Sequence, residues 1–185
     1  PSVPVKSIRE LIALARSKPG QLNYGSSGAG TSVHLSAELF SSMTGVRMVH
    51  VPFKGATEAL TALLGGQLDL MFASVSSSIP LIKAGRLRAF AVTGAQRSPS
   101  LPDMPTMAEA ALPGYAAAAW YGIVGPAGLP PNIVNTLQSA ALAVLGMNDV
   151  KARLFASGVE VRPGTADEFA RLIDSEIIKW AKVVK

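Results

Sequence analysis

Residues 25–31, Gly-Ser-Ser-Gly-Ala-Gly-Thr, gather the groups of this chain best suited to grip an anion. Gly25, Gly28 and Gly30 allow a sharp turn and a close backbone approach to a bound molecule. Ser26, Ser27 and Thr31 add hydroxyls. A helix is expected from about Thr31, and its start aims unpaired N–H groups and roughly half a positive charge back at the loop. The competing reading is a tight strand-to-helix turn in which Thr31 is only the N-cap.

Three enzyme motifs fail at this loop. A phosphate-binding P-loop needs lysine after its second glycine, where Thr31 stands. A nucleophile elbow needs Gly-x-Ser-x-Gly, and Ala29 replaces the last glycine after Gly25 and Ser27. The dinucleotide fingerprint fails at Val33, three residues beyond Gly30. Binding is therefore favoured over chemistry. His34 could face the loop as a base, or be a surface or capping histidine. Lys54, between Phe53 and Gly55, could pair with a carboxylate or stand solvated. Asp69 is expected to face a structural partner; Trp120 and Tyr121 could line a cleft, but as aromatics in an apolar strand they are read as core.

These residues need strands and helices to place them. A helix over 7–18 opens on Ser7 and Glu10, which fit a capping box, and ends at Pro19-Gly20. Strands are expected over 21–24, 47–51, 68–73 and 87–93. Helices are expected over 31–43, with an apolar face of Leu35, Leu39, Phe40 and Met43, over 56–64, and in a short segment with Pro80 in its first turn. This alternation with short loops means parallel βαβ units and an α/β class. Ligands in such sheets sit outside the carboxyl ends of the strands, which here means loops 25–31, 52–55 and 74–78. Thr106 with Glu109, and Thr165 with Glu168, fit further capping boxes, and Asp149 is read as a cap. After residue 114 three helices accompany only two expected strands, 120–124 and 159–162, so a nearly whole lobe and an incomplete one are anticipated.

Composition narrows the function. The 185 residues are 49% hydrophobic and 16% charged, an ordinary packed globule with no stretch of membrane-span length. With no cysteine and only His34 and His50, thiolate chemistry and histidine metal clusters are set aside, and neither cofactor nor metal is expected. A net charge of +5 suits an anionic small ligand or mere solubility. It is too dispersed, with too few interleaved aromatics, for nucleic acid. The chain opens on Pro1 without a signal-peptide pattern, as a mature protein or an excised piece would.

Taken in order, Gly-Ser-Ser-Gly-x-Gly-Thr-x-x-His-Leu (25–35), Val-Pro-Phe-Lys-Gly (51–55), Gly-Gln-Leu-Asp-Leu-Met-Phe-Ala (66–73), Ile-Lys-Ala-Gly-Arg-Leu-Arg-Ala-Phe-Ala-Val-Thr (82–93), Ser-Pro-x-Leu-Pro-Asp-Met-Pro-Thr-x-x-Glu-Ala (98–110), Trp-Tyr-Gly-Ile-Val-Gly-Pro-Ala-Gly (120–128) and Glu-Ile-Ile-Lys-Trp (176–180) resemble the Bug/TctC family. These are the extracytoplasmic solute receptors of tripartite tricarboxylate transporters. The resemblance runs over essentially the whole chain. It implies a class II periplasmic-binding-protein fold of two α/β lobes, with residues 1–115 as the inserted second lobe and 116–185 as the C-terminal portion of the first. The family's signal peptide and N-terminal part would be missing, and this piece alone would bind more weakly than a whole receptor.

The resemblance further implies a periplasmic protein without catalysis, carrying a small organic acid or amino acid to membrane permease subunits. The ligand carboxylate would meet Ser26, Ser27, Gly28, Gly30, Thr31 and His34, with Phe53, Lys54, Ala73 and Ser74 beside them. Two alternatives stand next to it: a hydrolase using Ser27 with His34, which would need the two within about 3 Å, and a regulatory ligand-binding domain of the same fold.

Overall fold

The computed structural model describes residues 3–184; Pro1, where the mature or excised start was read, and Lys185 lie outside the described residues. The chain forms two compact units, one ending at Ala119 and one beginning at Trp120. The division falls later than residue 115 because the Tyr115–Ala117 segment is anchored in the first unit. Tyr115 and Ala117 are buried, the Tyr115 hydroxyl donates to the Ser36 carbonyl at 2.8 Å, and Ala117 N–H donates to Thr93 O at 2.8 Å.

The first unit is built on a three-stranded parallel sheet in the order β2-β1-β3, with β1 Asn23–Ser26, β2 Val49–Pro52 and β3 Leu70–Met71. Helices α1 (Ile8–Ser17), α2 (Ser32–Thr44), α3 (Ala56–Leu64), α4 (Val75–Lys83) and α5 (Met107–Ala110) surround it. The α2 and α3 helices pack against β1. Gly25 explains how α3 comes so close: a Cβ there would overlap Leu68 Cδ1 and stand 3.6 Å from Ala59 Cβ. The core joins Ile8, Leu11, Leu22, Tyr24, Phe40, Leu60, Leu68 and Met107.

Several expectations are corrected. Ser7 Oγ accepts from Glu10 N–H, but the Glu10 carboxylate accepts from Lys6 N–H and not from Ser7, so the reciprocal half of that box is displaced by one residue. The α2 helix buries Val33, Ser36, Ala37, Phe40 and Thr44, whereas Met43 is 40% exposed. Small Ser36 and Ala37 let the helix approach the sheet, and bulky Leu35, Leu39 and Met43 flank that contact. Pro80 lies inside α4, not in its first turn. The expected strand over 87–93 contributes only a bridge from Val92 to Thr106 and one bond that Thr93 O accepts from Ala117 N–H, too few pairings to extend into a strand.

The second unit holds α6 (Pro131–Gly146), α7 (Asn148–Ala156) and α8 (Ala166–Trp180). The capping box of Thr165 and Glu168 opens α8, and that of Thr106 and Glu109 opens α5. Asp149 lies in the first turn of α7, which is capped by Met147. Neither 120–124 nor 159–162 is a strand among the described residues. Trp120 meets Phe169 edge-on at 5.5 Å but is 41% exposed, and Tyr121 is 86% exposed, so neither is the core residue expected. No described residue of this unit is buried. Leu137, Phe155, Leu172 and Ile177 on its helices face outward, and a hollow of about 690 Å³ is lined by Leu142, Leu145, Phe155, Val159 and Val161. No helix is long and apolar enough to cross a membrane among the described residues.

Candidate functional site

Parallel pairing sets Ser26, Pro52 and Met71 at the same edge of the sheet, so the loops that follow β1, β2 and β3 leave from one side. The first two are joined directly: Phe53 N–H donates to Ser26 O at 3.0 Å. Ala73 is half-buried and Ser74 is exposed at the head of α4, where its hydroxyl stands 2.7 Å from Ser77 Oγ. Lys54 has an exposed side chain, and its N–H donates to Glu58 Oε2 at 3.3 Å. Asp69 is structural as expected: Oδ2 accepts from Asn23 N–H at 2.9 Å, which ties β3 to β1.

The Gly25–Thr31 loop is shaped from within. Gly28 and Gly30 have φ of 126° and 76°, a region closed to most side chains. Thr31 caps α2, its oxygen accepting from His34 N–H at 3.5 Å while its hydroxyl donates to Gly28 O at 2.7 Å. Ser26 is fully buried, its oxygen accepting from Gly28 N–H at 3.1 Å and lying 2.6 Å from His50 Nε2. Gly30 N–H donates to His34 Nδ1 at 3.1 Å. Among the described residues, the N–H groups of Ser27, Ala29, Ser32 and Val33 have no acceptor in the chain. They stand at the positive end of α2, with no acidic residue in the loop. Such an arrangement can hold a carboxylate without a metal or a base.

The structure does not pair Ser27 with His34, because the Nδ1 of His34 is engaged by Gly30. The serine–histidine contact that does form uses Ser26, whose burial keeps it from any substrate. Sequence reasoning left Tyr24, Glu38 and His50 out of the site. The Tyr24 hydroxyl donates to Glu38 Oε1 at 2.5 Å, and His34 Nε2 lies 3.7 Å from the same oxygen. Burial, then the hydrogen bond and charge of Glu38, push the Tyr24 phenol upward from its ordinary range. Burial first, and the neighbouring His34 second, lower His50 from its ordinary value despite the opposing charge of Glu38. The spacing of His34 and Glu38 by four residues was a signal that they share a helix face.

A family model described as "Tripartite tricarboxylate transporter family receptor" matches residues 1–185. A protein encoded in the tcbD-tcbE intergenic region of a Pseudomonas strain is 37% identical over 97% of this chain and 54% of its own length. Protein BugT of Bordetella pertussis is 31% identical over 100% of this chain and 57% of its own. The chain thus spans about half the length of these curated relatives. Among solved structures, a Rhodopseudomonas palustris protein with adipate is 41% identical with a TM-score of 0.88, covering 98% of this chain and 61% of that one. MatC from the same organism, with bound malate, is 32% identical with a TM-score of 0.83, covering 98% and 63%.

Proposed function

This chain belongs to the tripartite tricarboxylate transporter receptor family, and from that premise we propose that it captures a small carboxylate-bearing solute in the periplasm for membrane permease subunits. The observation that carries the reading is the set of unpaired amides at Ser27, Ala29, Ser32 and Val33, beside the Ser27 and Thr31 hydroxyls. A carboxylate oxygen there accepts from backbone donors whose positions are fixed before it arrives, so little ordering is needed on binding. Phe53, Lys54, Ala73 and Ser74 stand at the neighbouring strand ends and would meet the rest of the solute. Two relatives are described with adipate and with malate, which makes an aliphatic dicarboxylate the first candidate. The family is one of receptors, and no step of bond making or breaking is part of this reading.

The unit ending at Ala119 is proposed as one lobe of the receptor, and the unit from Trp120 as a portion of the other. The absence of buried described residues in the second unit supports this, since apolar helix faces of that kind are ordinarily covered. Isothermal titration of the whole protein with adipate, malate and the uncharged diamide of adipate tests the function. The acids should bind and the diamide should not; equal binding of the diamide, or no binding by any of a series of organic and amino acids, would overturn the reading.

A further inference from the structure

Beside the Gly25–Thr31 loop lies a cluster of three rings that carboxylate capture leaves without a task. Tyr24 of β1, His50 of β2 and His34 of α2 are stacked, with 5.0 Å between the Tyr24 and His50 centroids and 4.0 Å between those of His50 and His34. Each histidine is coupled to one glycine amide of the loop. Gly30 N–H donates to His34 Nδ1 at 3.1 Å, directly. Gly28 N–H donates to Ser26 Oγ at 3.1 Å, and Ser26 in turn meets His50 Nε2 at 2.6 Å. These amides are thereby held back into the protein, while those of Ser27 and Ala29 are left for a guest.

We propose that His34 and His50 are a proton-sensitive pair of positioning residues, which fix this loop for capture while neutral and loosen it when the pair takes up a proton. The chemistry differs at the two rings. Gly30 N–H needs a lone pair on His34 Nδ1; a proton there sets donor against donor and breaks the bond. With a proton on Nε2, His50 donates to Ser26 Oγ; the Ser26 hydroxyl donates to Gly28 O, 3.1 Å away, and the bond from Gly28 N–H survives. His34 is therefore the sensitive member and His50 its neighbour in charge. The groups that face the pair are Tyr24 from β1, through its ring and its hydroxyl on Glu38, and Glu38 from α2 itself. Two imidazolium rings stacked at 4.0 Å repel one another, so a proton on one ring opposes a second proton on the other. The burial of His50 acts in the same direction, favouring its neutral form.

The consequence for binding rests on the carboxylate reading, but the positioning itself does not. Amide NMR spectra of the whole protein without ligand, recorded from about pH 5 to 8 across the histidine range, test it directly. The Gly30 amide should move with the midpoint of the His34 ring. In His34→Asn, whose Oδ1 replaces the Nδ1 acceptor but does not titrate, the Gly30 amide should stay in place. A Gly30 amide that stays still while the His34 ring titrates, or one that moves equally in the variant, would overturn the proposal. Adipate affinity is then compared at both ends of the range for wild type and variant, since protonation of the acid affects both alike. Wild type should lose about fivefold more affinity on acidification, the scale of one net hydrogen bond; equal losses would refute the link to capture. Should adipate bind neither protein, the carboxylate reading suffers while the amide titration still decides the pair.

Discussion

The Ser26 hydroxyl lies 2.6 Å from His50 Nε2, joining two adjacent parallel strands two residues beyond the Tyr24 that pairs with His50 in the register. A serine that could be read as a ligand or a nucleophile is thus a fully buried strut between the sheet and the loop. What remains on the outer side is chiefly backbone N–H, with the Ser27 and Thr31 hydroxyls beside it, so recognition there rests mainly on the backbone.

Ser26→Ala should destabilise the first unit by about 1–3 kcal/mol, the usual cost of leaving buried polar partners unmet. The variant strands Gly28 N–H and His50 Nε2 together. Urea unfolding monitored by circular dichroism checks this, and a change within error of zero would show that the strut is dispensable.

Gly30→Ala isolates the backbone. No atom lies within 4 Å of the position a Cβ would take, yet φ is 76°. A left-handed alanine should cost about 1–2 kcal/mol. Thermal melts read that cost, and calorimetry with adipate should show weakened capture as the loop relaxes toward ordinary φ.

Stability should depend on pH through His50. Its folded value is lowered, chiefly by burial and then by His34, so the unfolded chain binds more protons in the histidine range. The stabilisation is therefore complete above the unfolded value of about 6.5 and is lost as pH falls through the folded value. Denaturation midpoints taken across this range should fall on acidification, and His50→Gln should flatten the slope.

Tyr115→Phe removes the hydroxyl that donates to Ser36 O at 2.8 Å and should cost about 1 kcal/mol. Burial pushes the Tyr115 phenol well above its ordinary range, so this contribution should not vary with pH below the alkaline limit. The same denaturation series across pH measures both.

The local elements were legible in the chain because local rules fix them. Glycine with φ of 69° at position 45 ends α2, Thr31 caps it, and the boxes at Thr106–Glu109 and Thr165–Glu168 start α5 and α8 as their spacing required. The anion-suited loop was legible for the same reason, since glycines, hydroxyls and a helix start are neighbours in sequence. Strands were less so: 87–93, 120–124 and 159–162 have the composition for extension, but a strand exists only where another strand offers donors and acceptors. The burial of Ser26, the choice of Ser36 and Ala37 over Leu35 and Met43 for the inner face of α2, and the stacking of His34 on His50 depend on which elements meet across the sheet. Those are distances between residues far apart along the chain, and only packing sets them.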